Sequence, residues 1–417
     1  MADLPPGVEL RGQSIRIWFM YKGKRCRELL RGWIPTLSNI KKAGQLRTVI
    51  VSEISLGEFD YRTRFPESKL ADTTSGTVQI RSFGELVDTW LTNRKIELSA
   101  NTLRKTASQL KTIVAVVGAD TLIREIKHND VLRYRTELLE GQTMYAVHVR
   151  SNKIGRSVRT VDNYISLLCS LLRFAHRSGF TTEKAYSGIK KLQKSRPKPD
   201  PLTRAEFNQL IAANHGQKGN MWQFAIYSGL RHGELAALAW EDVDLANGTV
   251  HVRRNLNALG MFVPPKTDAG FRTVTLLTPA IEALKAQSEL TALFPKTEIT
   301  YHHREYGLTE QQKVHFVFMP RVRKGAQKPY YSLSSIGARW DSAVKRAGIR
   351  RRNPYHTRHT FACWLLSAGA NPAFIANQMG HENAQMVYEV YGAWIEELNG
   401  EQIDMLNNKL AQPTEKN

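Results

Sequence analysis

The sequence predicts a multidomain, mainly α chain: a small β+α N-terminal module, a helical middle domain, and a larger α-rich domain with a small antiparallel β-sheet. Three observations predict it. The chain has 417 residues, which at roughly 150 residues per domain suggests about three domains. Apolar residues recur at helical spacing through Val161, Ile165, Leu168, Leu172 and Ala175, one face of an α-helix. Finally, Lys194-Ser-Arg196-Pro197-Lys198-Pro199-Asp200-Pro201 alternates three prolines, which oppose helix and sheet and favour an extended linker.

The first module spans residues 1–72. Ser14 to Tyr21 is rich in β-formers, Lys22-Gly23-Lys24 is turn-like, and Arg25 to Leu30 follows. Two short runs joined by a glycine turn read as a hairpin. Pro35 to Leu56 reads as a helix with Leu37, Ile40, Leu46, Ile50 and Ile54 as its apolar positions. The strands and turn carry Arg16, Lys22, Lys24 and Arg25, cations suited to a phosphate backbone. An ordinary small domain would have the same outline.

Residues 77–194 read as the helical domain. Leu86, Val87, Trp90 and Leu91 mark one helix, and Leu103, Leu110, Val114 and Val117 a second. Asn129 to Leu139 forms a third, and the Val161 face a fourth, ending near Gly179. A loop between them carries Arg150, Lys153, Arg156 and Arg159; most such runs are solvated, but phosphate contact is the alternative. Arg196 and Lys198 make the linker basic too. Thr203-Arg-Ala-Glu206 then has the capping-box pattern and opens a helix through Leu210 and Ile211. It begins a domain over 202–398, followed by a tail over 399–417.

Charge narrows the partner. Lys and Arg total 59 against 38 Asp and Glu, a formal net charge of +21, which favours a polyanion and nucleic acid before a membrane surface. No run of about 18 apolar residues occurs, so no membrane span is expected. The N-terminus lacks the basic and apolar blocks of a secretory signal. Cys26, Cys169 and Cys363 are too few and scattered for a disulfide framework or metal cluster, which fits a reducing cytosol.

The chemistry-bearing residues lie in the last domain. In Tyr227-Ser228-Gly229-Leu230-Arg231-His232-Gly233-Glu234-Leu235, Gly229 ends one helix and Glu234 starts the next. Arg231 at the junction can present its planar fork to phosphate oxygens, and Glu234 can support it. Thr249–Val252 and Thr273–Leu276 read as strands flanking Pro265–Gly270, with Lys266 at the hairpin tip, where a lysine could protonate a leaving oxygen. In Asn353-Pro354-Tyr355-His356-Thr357-Arg358-His359-Thr360-Phe361-Ala362, Thr357 or a neighbour caps a helix whose first turn holds Arg358 and His359, a position that favours an anion. Asn371 to Gly380 reads as a helix with proline in its first turn and glycine at its end, leaving His381 just beyond. Tyr388 and Tyr391 follow. Each piece alone is weak; a lone arginine or tyrosine is usually surface or packing. Together, two guanidinium groups can neutralise a phosphorane, a lysine and a histidine can move protons, and a phenol can attack phosphorus. With no acidic metal cluster evident, the set points to covalent phosphodiester exchange that needs neither metal nor cofactor.

In this order, Gly229-Leu230-Arg231-His232-Gly233-Glu234-Leu235, Lys266, Arg358-His359-Thr360-Phe361-Ala362, Met379-Gly380-His381 and Tyr391 resemble the tyrosine recombinases. The plan resembles phage integrases with an N-terminal arm-type DNA-binding domain. The likeness covers about Leu202 to Glu397, with the helical domain similar to the family's core-binding domain and residues 1–70 more loosely similar to arm-binding modules. The resemblance implies a site-specific recombinase that integrates a phage or mobile element and, with accessory factors, excises it. Arg231 and Arg358 would grip the scissile phosphate, with Glu234 as support. Lys266 would be general acid for the 5′ oxygen, His381 would hydrogen-bond a nonbridging oxygen or assist proton transfer, and Tyr391 would become a 3′-phosphotyrosine.

Two positions depart from the family. It usually has His three residues before its second Arg; here Tyr355 stands there and is favoured for the hydrogen-bonding role, the alternative being that local backbone brings in His356, one step late. The family tyrosine usually lies nine residues after the last His; Tyr388 and Tyr391 lie seven and ten after His381. Tyr391 is favoured because Tyr391-Gly-Ala-Trp394 resembles the nucleophile region of phage enzymes. Implied partners are double-stranded DNA with core-type and arm-type attachment sites, a homotetramer on DNA, a DNA-bending host factor and an excisionase, in the nucleoid-associated cytoplasm of a bacterial host. Ile395, Ile403, Met405, Leu406 and Leu410 could pack on a neighbouring subunit or on their own domain. The alternatives are a type IB topoisomerase, which shares the chemistry but needs no arm-type module, and a catalytically inert DNA-binding protein.

Overall fold

The N-terminal strands form because alternate residues bury. β1 (Val8–Arg11), β2 (Ser14–Tyr21) and β3 (Lys24–Leu30) make an antiparallel sheet in that order. Ile15, Ile17 and Phe19 of β2 are fully buried, as the two-residue period demands. Lys22 (φ 48) and Gly23 (φ 75) turn the chain between β2 and β3, with positive φ at both turn residues matching the twist of a tight hairpin. The helix α1 (Leu37–Leu56) lays Ala43 and Ile50 in the same core. At the start of α2 (Tyr61–Arg64), the Tyr61 hydroxyl donates to the buried Glu28 at 2.6 Å. The expected hairpin and helix are present; β1 was not foreseen.

This computed structural model describes residues 4–56, 59, 61–68, 70, 80–141, 155–194, 198–320 and 328–392. Arg150, Lys153, Arg196 and the tail over 399–417 lie outside them, as do Ile395, Ile403, Met405, Leu406 and Leu410. Two compact units divide the chain: Met1–Val87, Val117–Tyr134 and Leu168–Ser187 form one, and Asp88–Val116, Arg135–Leu167 and Gly188–Asn417 the other. The division cuts through the helical segment rather than falling at its ends. That segment holds α3 (Phe83–Arg94), α4 (Ala100–Val117), α5 (His128–Glu140) and α6 (Val158–Arg177). Val161, Ile165, Leu168, Leu172 and Ala175 of α6 are all buried.

The second unit carries the α-rich region. Thr203 accepts from the Glu206 N–H at 3.1 Å while Glu206 accepts from the Thr203 N–H at 2.9 Å, the reciprocal box that starts α7 (Arg204–Ala212). There follow α8 (Gln217–Ser228), α9 (His232–Ala237), α10 (Thr278–Thr291), α11 (Leu333–Ala347), α12 (His356–Ser367), α13 (Pro372–Met379) and α14 (Gln385–Tyr391). Trp222, Phe224, Phe316, Phe318 and Trp340 anchor one large core. A smaller one under α12, α13 and α14 holds Phe361, Met379, Val387 and Tyr391.

Two small sheets flank these helices. β4 (Val243–Asp244), β5 (Thr249–Val252) and β8 (Arg272–Thr275) form an antiparallel sheet in that order. β6 (Asn255–Leu256), β7 (Phe262–Val263), β9 (Thr297–His302) and β10 (Thr309–Val314) form the other, in the order β10-β9-β7-β6. The expected pairing of Thr249–Val252 with the later strand is present, with Val250 opposite Val274. Lys266 is not at the tip of that hairpin, however. The connection itself forms β6 and β7, and Lys266 lies in the loop that crosses from β7 in one sheet to β8 in the other. Among the described residues, no helix is long and apolar enough to cross a membrane.

Candidate active site

The site is assembled around two glycine-terminated helices. Gly229 closes α8 in the left-handed region (φ 64), and the chain runs extended through Arg231, which precedes α9. Glu234 in the first turn of α9 accepts from the Arg231 backbone N–H at 3.0 Å and from its Nη1 at 2.8 Å. Arg231 Nη2 donates to the Gly380 carbonyl at 3.2 Å, and the side chain keeps about a third of its surface exposed, 32%. Gly380 closes α13, again left-handed (φ 64), and so turns the chain into His381.

Arg358 is fully buried in the first turn of α12. Its Nη1 donates to the Gly229 carbonyl at 2.7 Å, and its Nη2 donates to the Met379 carbonyl and, at 2.9 Å, to His381 Nε2. Its Nε has no hydrogen-bond partner among the described residues. Burial, then the neighbouring Arg231, pushes its pKa down to about 10, so it stays charged at neutral pH. Burial, with Arg358, Arg231 and Arg272, also holds His381 down to about 4. A neutral imidazole whose Nε2 accepts from an arginine carries its proton on Nδ1. That Nδ1 is buried and has no partner among the described residues.

Arg272 is the residue that sequence reasoning missed. It donates through Nη2 to Glu234 at 2.9 Å, through Nε to the Gln378 carbonyl at 2.7 Å and through Nη1 to the Gly270 carbonyl at 3.1 Å. Burial works to raise the pKa of Glu234, but Arg272, Arg231 and Arg358 outweigh it and hold the carboxyl at about 2. The signal was available: on β8, Arg272 shares a face with the fully buried Val274, and a charge at an inward strand position needs a buried counter-ion. Its partner lies 38 residues away, beyond any local motif.

Tyr391, the last residue of α14, is 3% exposed, whereas Tyr388 is 53% exposed. The Tyr391 hydroxyl lies 2.7 Å from His359 Nδ1. Burial pushes its phenol up, with Arg358 pulling the other way. His356 turns elsewhere, its Nδ1 2.8 Å from the Asp200 carbonyl. The ring of Tyr355 sits 5.1 Å from that of His359. Thr357 is not the helix cap: it is buried in the first turn, with its hydroxyl donating to the Pro354 carbonyl at 3.0 Å, and Tyr355 precedes the helix without a side-chain cap.

Lys266 is exposed and outside this bonded set, but its loop is fixed against it. Gly380 packs so closely on the loop that a Cβ there would come 2.9 Å from the Ala269 carbonyl. From the β9–β10 turn, Arg304 donates to the Pro265 carbonyl at 2.9 Å and pairs with Asp268. Of the N-terminal cations, Arg16 is paired with Glu9, and Arg25 stacks its guanidinium 3.7 Å from the Trp18 ring centroid on the outer face of the sheet. Lys22 and Lys24 lie at the turn, Arg156 and Arg159 at the start of α6, and Lys198 is exposed in the linker.

Residues 5–69 match the arm DNA-binding domain, and residues 201–395 match the phage integrase family. The prophage integrase IntR of Escherichia coli K12 is 64% identical over 411 residues, covering 99% of this chain and all of the relative. The chain belongs to the phage integrase family of tyrosine recombinases. It is a tyrosine-type site-specific DNA recombinase, and the topoisomerase reading falls away. The recombinase shares its fold with the Tn1549 transposon integrase in complex with a circular intermediate DNA, at a TM-score of 0.60 and 18% identity over 75% of this chain and 95% of that one. A lambda integrase tetramer bound to a Holliday junction gives 0.52 at 14% identity, over 94% and 96%.

Proposed function

We propose that this recombinase cleaves and rejoins duplex DNA through a 3′-phosphotyrosine formed on Tyr391. The observation that carries the reading is the cluster of Arg231, Arg272 and Arg358 about the buried Glu234, with His381 bonded to Arg358. Glu234 cancels part of the charge and sets the arginines' geometry. The net positive remainder, the Arg358 Nε left without a partner among the described residues and the His381 Nδ1–H suit the nonbridging oxygens of one phosphodiester. Tyr391 attacks phosphorus, its O–P bond forms as the P–O5′ bond breaks, and Lys266 gives the leaving 5′ oxygen its proton. The phosphotyrosine keeps the bond energy for religation, so no high-energy cofactor is required. Tyr355 takes the place of the family's usual His beside the site, and His356 does not.

The same reading assigns residues 1–72 to arm-type sites, 77–194 and 202–398 to core-type sites, and the tail after 398 to a tetramer assembled on DNA. Arg16, Lys22, Lys24, Arg25, Arg150, Lys153, Arg156, Arg159, Arg196 and Lys198 supply phosphate contacts. Integration proceeds in the bacterial cytoplasm, with a DNA-bending host factor and, for excision, an excisionase. The test is a nicked suicide duplex that traps the covalent adduct. Tyr391→Phe abolishes the adduct, and Tyr388→Phe retains it; an adduct surviving in Tyr391→Phe and lost in Tyr388→Phe reverses the assignment.

A further inference from the structure

We propose that His359 is the general base that takes the proton from Tyr391 in strand cleavage and returns it on religation, a role that rests on the reading of Tyr391 as nucleophile. Its Nδ1 lies 2.7 Å from the Tyr391 hydroxyl, inside the range for direct proton transfer. The phenol is the acid of the pair and donates, which places the imidazole's own proton on Nε2. The ring is boxed in by Tyr355 at 5.1 Å, His356 at 5.2 Å and Tyr391 at 5.6 Å between centroids.

The titratable and charged groups around it are Tyr355, His356 and Arg358 at the start of α12 and Tyr391 from α14, with Cys363 one turn further on bearing on the phenol. Burial, then His356 and Arg358, holds the His359 pKa down to about 4, so the ring is neutral and free to accept at neutral pH. An incoming phosphate brings negative charge beside Arg358 and raises the imidazole's proton affinity when the proton must move.

Other imidazoles beside the site are engaged. His381 Nε2 accepts from Arg358, His356 Nδ1 is bonded to the Asp200 carbonyl, and position 355 holds a phenol rather than an imidazole. In cleavage the Tyr391 O–H bond breaks, its proton passes to His359 Nδ1, the Tyr391 O–P bond forms and the P–O5′ bond breaks as Lys266 protonates the 5′ oxygen. Religation runs the same transfers backwards, so no further reactant is needed.

The experiment is single-turnover cleavage of the nicked duplex by full-length His359→Asn, with position 391 as tyrosine or as a fluorotyrosine of more acidic phenol. Asparagine can keep a hydrogen bond to the phenol but cannot take its proton. Cleavage by His359→Asn is expected to fall by about 10²-fold or more, its rate to climb with pH where the wild type is flat, and the fluorotyrosine to restore at least about tenfold of the loss. Wild-type rates in His359→Asn, or a deficit that the acidified phenol does not relieve, overturn the proposal. His359→Gln is the second variant if asparagine impairs folding or DNA binding. An adduct persisting in Tyr391→Phe refutes the nucleophile reading itself, whereas loss of the adduct there with unimpaired His359→Asn refutes only the base.

Discussion

At the scale of single residues, Glu234 decides how much like charge the site can hold. Three arginines converge on a carboxylate that water barely reaches, and removing one partner of such a buried pair costs on the order of 3–5 kcal/mol. Arg272→Gln is therefore expected to lower stability by about that amount at pH 7.5. The sign with pH follows from the carboxyl. Held at about 2 in the fold, below its unfolded value, Glu234 contributes stability that is fully present above the unfolded pKa and lost as pH falls through the folded one. Without Arg272, burial raises the folded pKa, and the carboxylate becomes a cost that protonation relieves. The deficit of Arg272→Gln should shrink between pH 7.5 and pH 4.5 in urea unfolding; a deficit equal at both values would show that the ion pair is not its source. Arg272→Lys, which keeps the charge but loses the fork that spans Glu234 and two carbonyls, should fall between the two.

At the scale of elements, two helix ends invite a matched comparison. Gly348 closes α11 at φ 67, and a Cβ there would meet nothing within 4 Å; Gly380 closes α13 at φ 64, and a Cβ there would come 2.9 Å from the Ala269 carbonyl and 3.0 Å from Arg272 Nη1. Both alanine variants incur the left-handed cost of about 1–2 kcal/mol. Only Gly380→Ala also pushes on the Lys266 loop and on the Arg272 side chain that holds Glu234, so it should lose more in melting temperature and slow DNA cleavage, while Gly348→Ala cleaves normally. Equal cleavage by the two would mean that the loop is not braced by this turn. Such ends were legible in the sequence, because Pro372 and Gly380, Thr203 and Glu206, and Lys22-Gly23 each act through neighbours a few residues away. The sheets were less legible. β6 and β7 are two residues each, β10 is largely polar, and β9 pairs in parallel with β7 across a long stretch of chain, so no local alternation announces them. Arg272 and the bond between His359 and Tyr391 were hidden for the same reason: each joins residues that only the packing of distant helices and strands brings together.

At the scale of the whole molecule, the +21 charge separates into two kinds. Arg231, Arg272 and Arg358 are held by Glu234 and by carbonyls, and in the proposed mechanism they act at one phosphate. The cations of the N-terminal turn are placed differently, at the edge of a sheet whose apolar face is already covered by α1. In the proposed reading they contact phosphates, and counterion release then lowers log K by about 0.9 per phosphate contact for each tenfold rise in salt. Replacing Lys22, Lys24 and Arg25 together with alanine should flatten the salt dependence by up to about 2–3 units on DNA carrying arm-type and core-type sites. On a short core-type duplex the slope should be unchanged, because there the module has nothing to grip. Suicide-substrate cleavage on that short duplex should also proceed at the wild-type rate, since the N-terminal sheet contributes none of the residues bonded around Glu234. Binding isotherms at several salt concentrations on the two DNAs measure both slopes, and equal flattening on both would place these cations on the core site instead.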